Sequence, residues 1–123
     1  DVAPSRGLGD VYKRQLQDFY LENPAPDKLM ELDNEFHHLL FSCVDKERCY
    51  RMCCDIGIHF DRIRHLALHT VKELKIVGDH HDILSAICAC DADRAYALMA
   101  AHLTRFEIDE KLIKNEYPEY FVN

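Results

Sequence analysis

The sequence is poor in residues that turn a chain and has no stretch suited to a membrane. Four glycines and four prolines among 123 residues favour a few long elements. No apolar run approaches the length that spans a bilayer. The first residues lack the basic, apolar, small-residue order of a signal peptide. We therefore expect a cytoplasmic protein with no membrane partner.

Basic residues are fewer than acidic ones. The sequence has 15 Lys and Arg against 22 Asp and Glu, a net charge of -7. Such a surface is not expected to bind nucleic acid by itself. The Gly-rich phosphate loop, the G-x-S-x-G of serine hydrolases and the H-E-x-x-H of zinc proteases are also missing, so these enzyme templates find no match.

Cysteine, in contrast, is frequent. An even number of cysteines can indicate disulfides, but without a secretory signal a cytosolic protein with free thiols is favoured. Two of them are adjacent and two are separated by one residue, which is not a zinc-ribbon spacing. We expect small buried thiols on helices at the six positions Cys43, Cys49, Cys53, Cys54, Cys88 and Cys90.

The first fifteen residues are unusual for the start of a domain. The stretch from Asp10 to Gln15 is what the transposase mosaic-end adaptor of sequencing libraries encodes in one reading frame. We interpret residues 1–15 as an adaptor artefact or a disordered end. Residues 16–123 are then a partial domain, and the natural protein is expected to begin before Leu16.

The remaining chain shows helical periodicity and no alternating strand pattern. Apolar residues recur at intervals of three and four in four segments. The sequence therefore predicts an all-α protein, an antiparallel helical bundle. The predicted helices cover 28–43, 49–69, 71–90 and 92–116.

Caps and glycines refine these helices. Asp27, Asp45 and Asp91 are predicted N-terminal caps, and Gly57 is expected to mark a close helix crossing inside the second helix. Gly78 is expected to weaken or bend the third helix. The core candidates of the last helix are Tyr96, Met99, Leu103 and Phe106.

One pair of residues points to metal chemistry. Asp33 and His37 are four residues apart, so on a helix they share one face. Carboxylate and imidazole together suit a divalent metal. His80 and His102 each border the apolar stripe of another helix, although such a histidine is more often a hydrogen-bonded core residue. Spacing alone does not choose between His80 and His81.

Two other patterns carry weaker signals. Glu35 and His38 form an E-x-x-H, but a di-iron bundle needs a second such motif, and the sequence has none. Arg62 and Arg64 lie near an apolar stripe, where a guanidinium could bind a carboxylate through two hydrogen bonds. The alternative is a pair of solvated arginines beside the abundant acids.

Several motifs resemble, in order and spacing, those of the FCD domain, the C-terminal effector domain of the FadR subfamily of GntR transcription regulators. Residues 33–37 resemble its D-x-x-F-H, and residues 61–66 its D-R-x-R-x-L. Residues 79–87 resemble its acidic-His-x-x-I-L-x-A-I, and residues 91–103 its D-x-x-x-A-x-x-x-M-x-x-H-L. The ending at residues 117–121 is also common there. The resemblance covers residues 16–121.

This resemblance implies a metal site. Its ligands would be Asp33, His37, His80 and His102, with His80 chosen over His81 by its distance from Ile83. The ion would be divalent, with Zn, Ni and Mn as candidates, and it would help to bind a small organic acid or sugar acid. Around that acid, Arg62, Arg64 and His59 are the candidate ligand-binding residues.

The resemblance also implies a larger protein. A winged helix-turn-helix that reads DNA as a homodimer, and the first helices of the effector domain, would be missing from this chain. The expected function is effector sensing and dimerisation, without catalysis.

Two alternatives stay open. One is a metal-dependent hydrolase, since an Asp/His₃ ion with open positions can activate water. Its nearest candidate base is Glu35, which points off the face shared by Asp33 and His37. The other is a helical bundle without a metal, whose histidines are only hydrogen-bonded.

Overall fold

A computed structural model describes residues 22, 25–70 and 75–121, without the side chains of residues 59, 69, 70 and 106–109. These residues form six α-helices and one 3-10 turn, with no strand among them, so the predicted all-α class is confirmed. None of these helices is long and apolar enough to cross a membrane. The proposed artefact at residues 1–15 lies outside the described residues. The helices are α1 (Pro26–Cys43), α2 (Glu47–Ile56), α3 (Ile58–Thr70), α4 (Lys75–Cys88), α5 (Ala92–Thr104) and α6 (Phe106–Glu116), and the 3-10 turn is Pro118–Tyr120.

The chain divides into two compact units between His65 and Leu66. The first unit is built on α1, whose buried apolar residues, Leu29, Leu32 and Phe36, recur at helical spacing. On another side of α1 the Tyr50 ring of α2 stacks on His38, with ring centres 4.4 Å apart.

Two predicted caps of the first unit are wrong. The N-cap of α1 is Ala25, which has no side chain that could accept a hydrogen bond. Asp27 lies inside the first turn and pairs with His65 at 2.9 Å. Asp45 precedes the N-cap of α2 and takes a left-handed backbone conformation with φ 55°. Asp is among the few residues that tolerate that conformation.

Gly57 ends a helix, and the prediction of one helix over 49–69 is wrong. The chain stops α2 at Ile56 and begins α3 at Ile58. A Cβ added at Gly57 would lie 2.8 Å from the carbonyl oxygen of Cys53. The backbone is therefore too close there for any other residue without a shift of the main chain.

Most of the buried apolar residues of the second unit lie on α4. α4 runs through Gly78 without interruption and packs against α5. Asp91 caps α5 as predicted, because its Oδ1 accepts a hydrogen bond from the Arg94 N–H at 3.0 Å. The buried apolar residues of this unit are Leu68, Val77, Ile83, Leu84, Ala86 and Ile113.

The last predicted helix is also divided. α5 ends at Thr104, and α6 begins after Arg105. Tyr96 and Leu103 are exposed, so the prediction that they belong to the core is wrong. Helical spacing predicts which residues share a face, but it does not show that a neighbouring element covers that face.

The expected burial of the cysteines is wrong as well. All six are free and exposed. Three of them lie on α2, which has no buried residue and also exposes Met52 and Ile56. The apolar residues of this helix do recur at helical spacing, but none of the described residues covers them.

Candidate metal centre

Asp33 and His37 form a close pair on one face of α1. The Asp33 side chain is 3% exposed and that of His37 is 20% exposed. His37 Nε2 lies 3.6 Å from Asp33 Oδ1. Two donors that each lie about 2.1 Å from one tetrahedral ion are roughly 3.4 Å apart. The spacing of this pair therefore suits two ligands of one ion.

Arg64 of α3 holds the other oxygen of that carboxylate. Its Nη2 donates to Asp33 Oδ2 and, at 2.8 Å, to Asn34 Oδ1. Its Nη1 donates to Asp61 Oδ1, also at 2.8 Å. A residue predicted to bind the effector thus contacts a predicted metal ligand. Of the other two candidate ligand-binding residues, Arg62 is exposed, and the side chain of His59 lies outside the described residues.

His80 and His102 form a second pair, between α4 and α5. His80 is fully buried, and the side chain of His102 is 7% exposed. Their ring centres are 4.9 Å apart, with the planes at 66°. Two imidazoles bound to one tetrahedral ion have ring centres roughly 5 Å apart, because each centre lies about 3.2 Å from the metal. His81, the other candidate at this position, is partly exposed.

Asp79 supports this second pair, and sequence reasoning did not assign it a role. Its Oδ2 lies 3.1 Å from His102 Nδ1, and its Oδ1 accepts a hydrogen bond of 2.6 Å from Arg105. The acidic residue before the histidine of α4 was visible in the motif. The contact itself was not visible, because Asp79 and His102 are 23 residues apart.

The remaining patterns of the sequence have structural roles. His38, of the E-x-x-H, pairs with Glu47 of α2 at 2.8 Å and stacks on Tyr50. Hydrogen bonds from Ser42 and from His38 hold the pKa of Glu47 below its ordinary value of 4.5. Burial raises the pKa of Tyr50 above its ordinary value of 10.0. These groups join α1 to α2 and provide no ligand to either candidate pair.

Comparison with known protein families shows to which family this chain belongs. Residues 12–105 match the FCD domain family. The chain belongs to that family. The FCD domain assignment confirms the resemblance of the motifs, which extend along most of the matched region.

Two curated relatives resemble this FCD domain. One is the HTH-type transcriptional repressor RspR of Escherichia coli, and the other is the HTH-type transcriptional regulator YdfH of Shigella flexneri. Each is 26% identical over 112 residues, which are 90% of this chain and 45% of the relative. The chain thus spans about half the length of the relatives it matches. No solved structure gave a significant match.

Proposed function

We propose that this FCD domain is the effector-sensing and dimerisation domain of a GntR-type transcription regulator. In this proposal Asp33, His37, His80 and His102 bind one divalent ion. The observation that carries it is the presence of two well-covered donor pairs, each spaced as two ligands of one ion would be. A carboxylate oxygen with imidazole nitrogens is a donor set that Zn, Ni and Mn accept.

The charge of such a site favours an anionic effector. One carboxylate and three neutral imidazoles leave a divalent ion with a net charge of about +1. An ion that takes five or six ligands, as Ni and Mn do, would also keep open coordination positions. A small organic acid or sugar acid would supply the missing negative charge. In this proposal Arg62 holds the far end of that acid, and Arg64, which contacts Asp33, lies at the metal end. His59 stays a candidate contact from the sequence alone.

Regulation would follow from a difference in affinity. An effector that binds one arrangement of a homodimer more tightly shifts the population toward it, and this changes the DNA affinity of an attached helix-turn-helix. Both relatives bear the name of helix-turn-helix regulators. In this proposal the DNA-binding part lies in a region of the full-length protein that this chain does not include.

The first experiment is the metal content of the chain purified without chelator. We expect about one divalent ion per chain in the wild type, and its loss in His80→Ala and His102→Ala. His38→Ala is the matched control, because His38 is exposed and pairs with Glu47. Circular dichroism checks that each variant is folded, since His80 is fully buried.

Effector binding is tested next on the metal-loaded wild type. We expect malate or gluconate to raise the melting temperature, in proportion to the logarithm of its concentration above saturation. Folded wild type that takes up neither Zn, Ni nor Mn would refute the metal site and leave a metal-free effector domain. Hydrolytic turnover that is lost with His102→Ala would instead favour the hydrolase, for which Glu35, exposed on α1, is the nearest base in sequence.

A further inference from the structure

A chain of three polar side chains connects α4 to the end of α5. Asp79 lies on α4, one residue before His80, while His102 and Arg105 lie on the last turn of α5 and just beyond it. Both oxygens of Asp79 are engaged, one by His102 Nδ1 at 3.1 Å and the other by Arg105 Nη2 at 2.6 Å. The carboxylate therefore has little freedom to rotate.

The geometry points to Asp79 as the positioning residue for His102, and we infer that it sets which ring nitrogen is available to an ion. A carboxylate that already accepts a hydrogen bond from Arg105 can only accept from the imidazole as well. His102 must then carry its hydrogen on Nδ1, and the lone pair is on Nε2. This inference rests on the proposed metal function, which it deepens.

Partial burial of the three side chains protects their hydrogen bonds from water. The side chains of Asp79, His102 and Arg105 are 19%, 7% and 29% exposed. Water therefore has limited access to exchange with the Nδ1 hydrogen bond. Supporting carboxylates of this kind fix the tautomer and the ring orientation of a metal-binding histidine and raise its basicity.

Arg105 lies between two helices. α5 ends at Thr104, and Arg105 is the single residue before α6. Its guanidinium reaches Asp79 on α4 and holds that carboxylate. The residue at the helix boundary that sequence periodicity missed therefore belongs to this chain of contacts.

The test observes the tautomer directly, in metal-free protein labelled with ¹⁵N-histidine. Two-bond ¹⁵N–¹H correlation distinguishes a ring nitrogen that carries hydrogen from one that does not. We expect His102 to carry hydrogen on Nδ1 in the wild type and to lose this preference in Asp79→Asn. The control is Asp82→Asn, which changes an exposed carboxylate of the same helix and should leave the His102 signals unchanged.

The second readout is zinc affinity, measured by competition with a chromogenic chelator. Asp79→Asn should weaken binding by about 10- to 100-fold. Asp79→Glu, which restores a carboxylate, should recover part of the loss, and Arg105→Met should weaken binding less than Asp79→Asn does. If Asp79→Asn does not fold, the tautomer of His102 in the wild type still decides the inference.

Three results would overturn this inference. The first is a wild-type His102 that carries its hydrogen on Nε2, and the second is a folded Asp79→Asn variant with unchanged zinc affinity. A lower melting temperature with an unchanged tautomer would show a structural role only and also overturn it. If the wild type binds no ion, the proposed metal function fails, while the tautomer of His102 still decides by itself whether Asp79 positions the ring.

Discussion

The two candidate ligand pairs are supported by groups of opposite charge. In the first unit a carboxylate, Asp33, is held by the guanidinium of Arg64. In the second unit an imidazole, His102, is held by the carboxylate of Asp79, which Arg105 holds in turn. One ligand of each pair is thus oriented by a neighbour of the complementary type, a cation for the anion Asp33 and an acceptor for the N–H of His102.

This difference has opposite consequences for an incoming ion. A carboxylate behind an imidazole increases the electron density on the ligand nitrogen and favours a metal. A guanidinium on a ligand carboxylate competes with the metal for the same negative charge and repels it. In the proposed four-residue site we therefore expect Asp79 to raise the metal affinity and Arg64 to lower it, and we expect Arg64 to compensate the charge of Asp33 when no ion is bound.

The largest expected effect comes from the removal of that cation. Arg64→Met should lower the free energy of unfolding of the metal-free protein by about 2–3 kcal/mol, because it takes the guanidinium from a well-covered carboxylate. Saturating zinc should restore more stability in this variant than it adds to the wild type, since the ion replaces the lost positive charge. Chemical denaturation with and without zinc measures both values.

Arg62→Met is the matched control, because Arg62 is exposed on the same helix. Its effect should stay within about 0.5 kcal/mol. If Arg64→Met is no more harmful than this control, or if zinc stabilises it less than the wild type, the assignment of opposite roles to the two supporting groups is wrong.

A medium effect is expected at the helix caps. Asp91→Ala should destabilise the second unit by about 1 kcal/mol, because the Arg94 N–H at the start of α5 loses its acceptor. In the first unit a cap can be added, because the N-cap residue of α1 is Ala25, whose side chain cannot accept a hydrogen bond. Ala25→Asp should stabilise this unit by about 0.5–1 kcal/mol.

Thermal melting followed by circular dichroism checks both cap variants. The double variant should melt near the wild type if the two units unfold together. Two separate transitions, each shifted by only one of the substitutions, would show that the units unfold independently. A stabilising Asp91→Ala would contradict the hydrogen bond that the structure assigns to this cap.

The smallest expected effect is a pH dependence in the first unit. The lowered pKa of Glu47 means that its ionised form binds Ser42 and His38 in the folded protein. This contribution is present above pH 4.5, the ordinary pKa, and is lost as the pH falls through the lower folded-state value. The wild type should therefore lose more stability on acidification than Glu47→Gln. Melting temperatures measured in steps below pH 5 would reveal this contribution of Glu47. Parallel plots of melting temperature against pH for the two proteins would exclude it.

Much of the fold could be predicted from helical spacing and capping residues. The all-α class and the buried stripe of α1 through Leu29, Leu32 and Phe36 are examples, as is the cap at Asp91. The breaks at Gly57 and Arg105 could not be predicted in this way, because the apolar spacing continues through both positions. The exposure of Tyr96 could not be predicted either, since helical spacing does not identify what packs against a helix face.

The candidate site could likewise be predicted only where its residues are close in the sequence. The pair Asp33 and His37 is visible in the sequence, because one helix turn separates its members. His80 and His102 were candidates because each borders an apolar stripe, and the resemblance to the FCD family selected them as ligands, with His80 preferred to His81. Asp79 and the contact of Arg64 with Asp33 depend on pairs that are 23 and 31 residues apart, and local periodicity carries no information at that range.

The exposed thiols affect how any dimer of this protein must be assayed. Six accessible cysteines can oxidise in air and link chains covalently, so a species of double mass in non-reducing conditions would not establish a native homodimer. Dithiol reductants would in turn compete for zinc, since thiolates are among its preferred ligands. A phosphine reductant avoids both artefacts. The same cysteines offer attachment points for fluorophores, and Cys88 would place one on α4 itself, roughly 12 Å along the helix from His80.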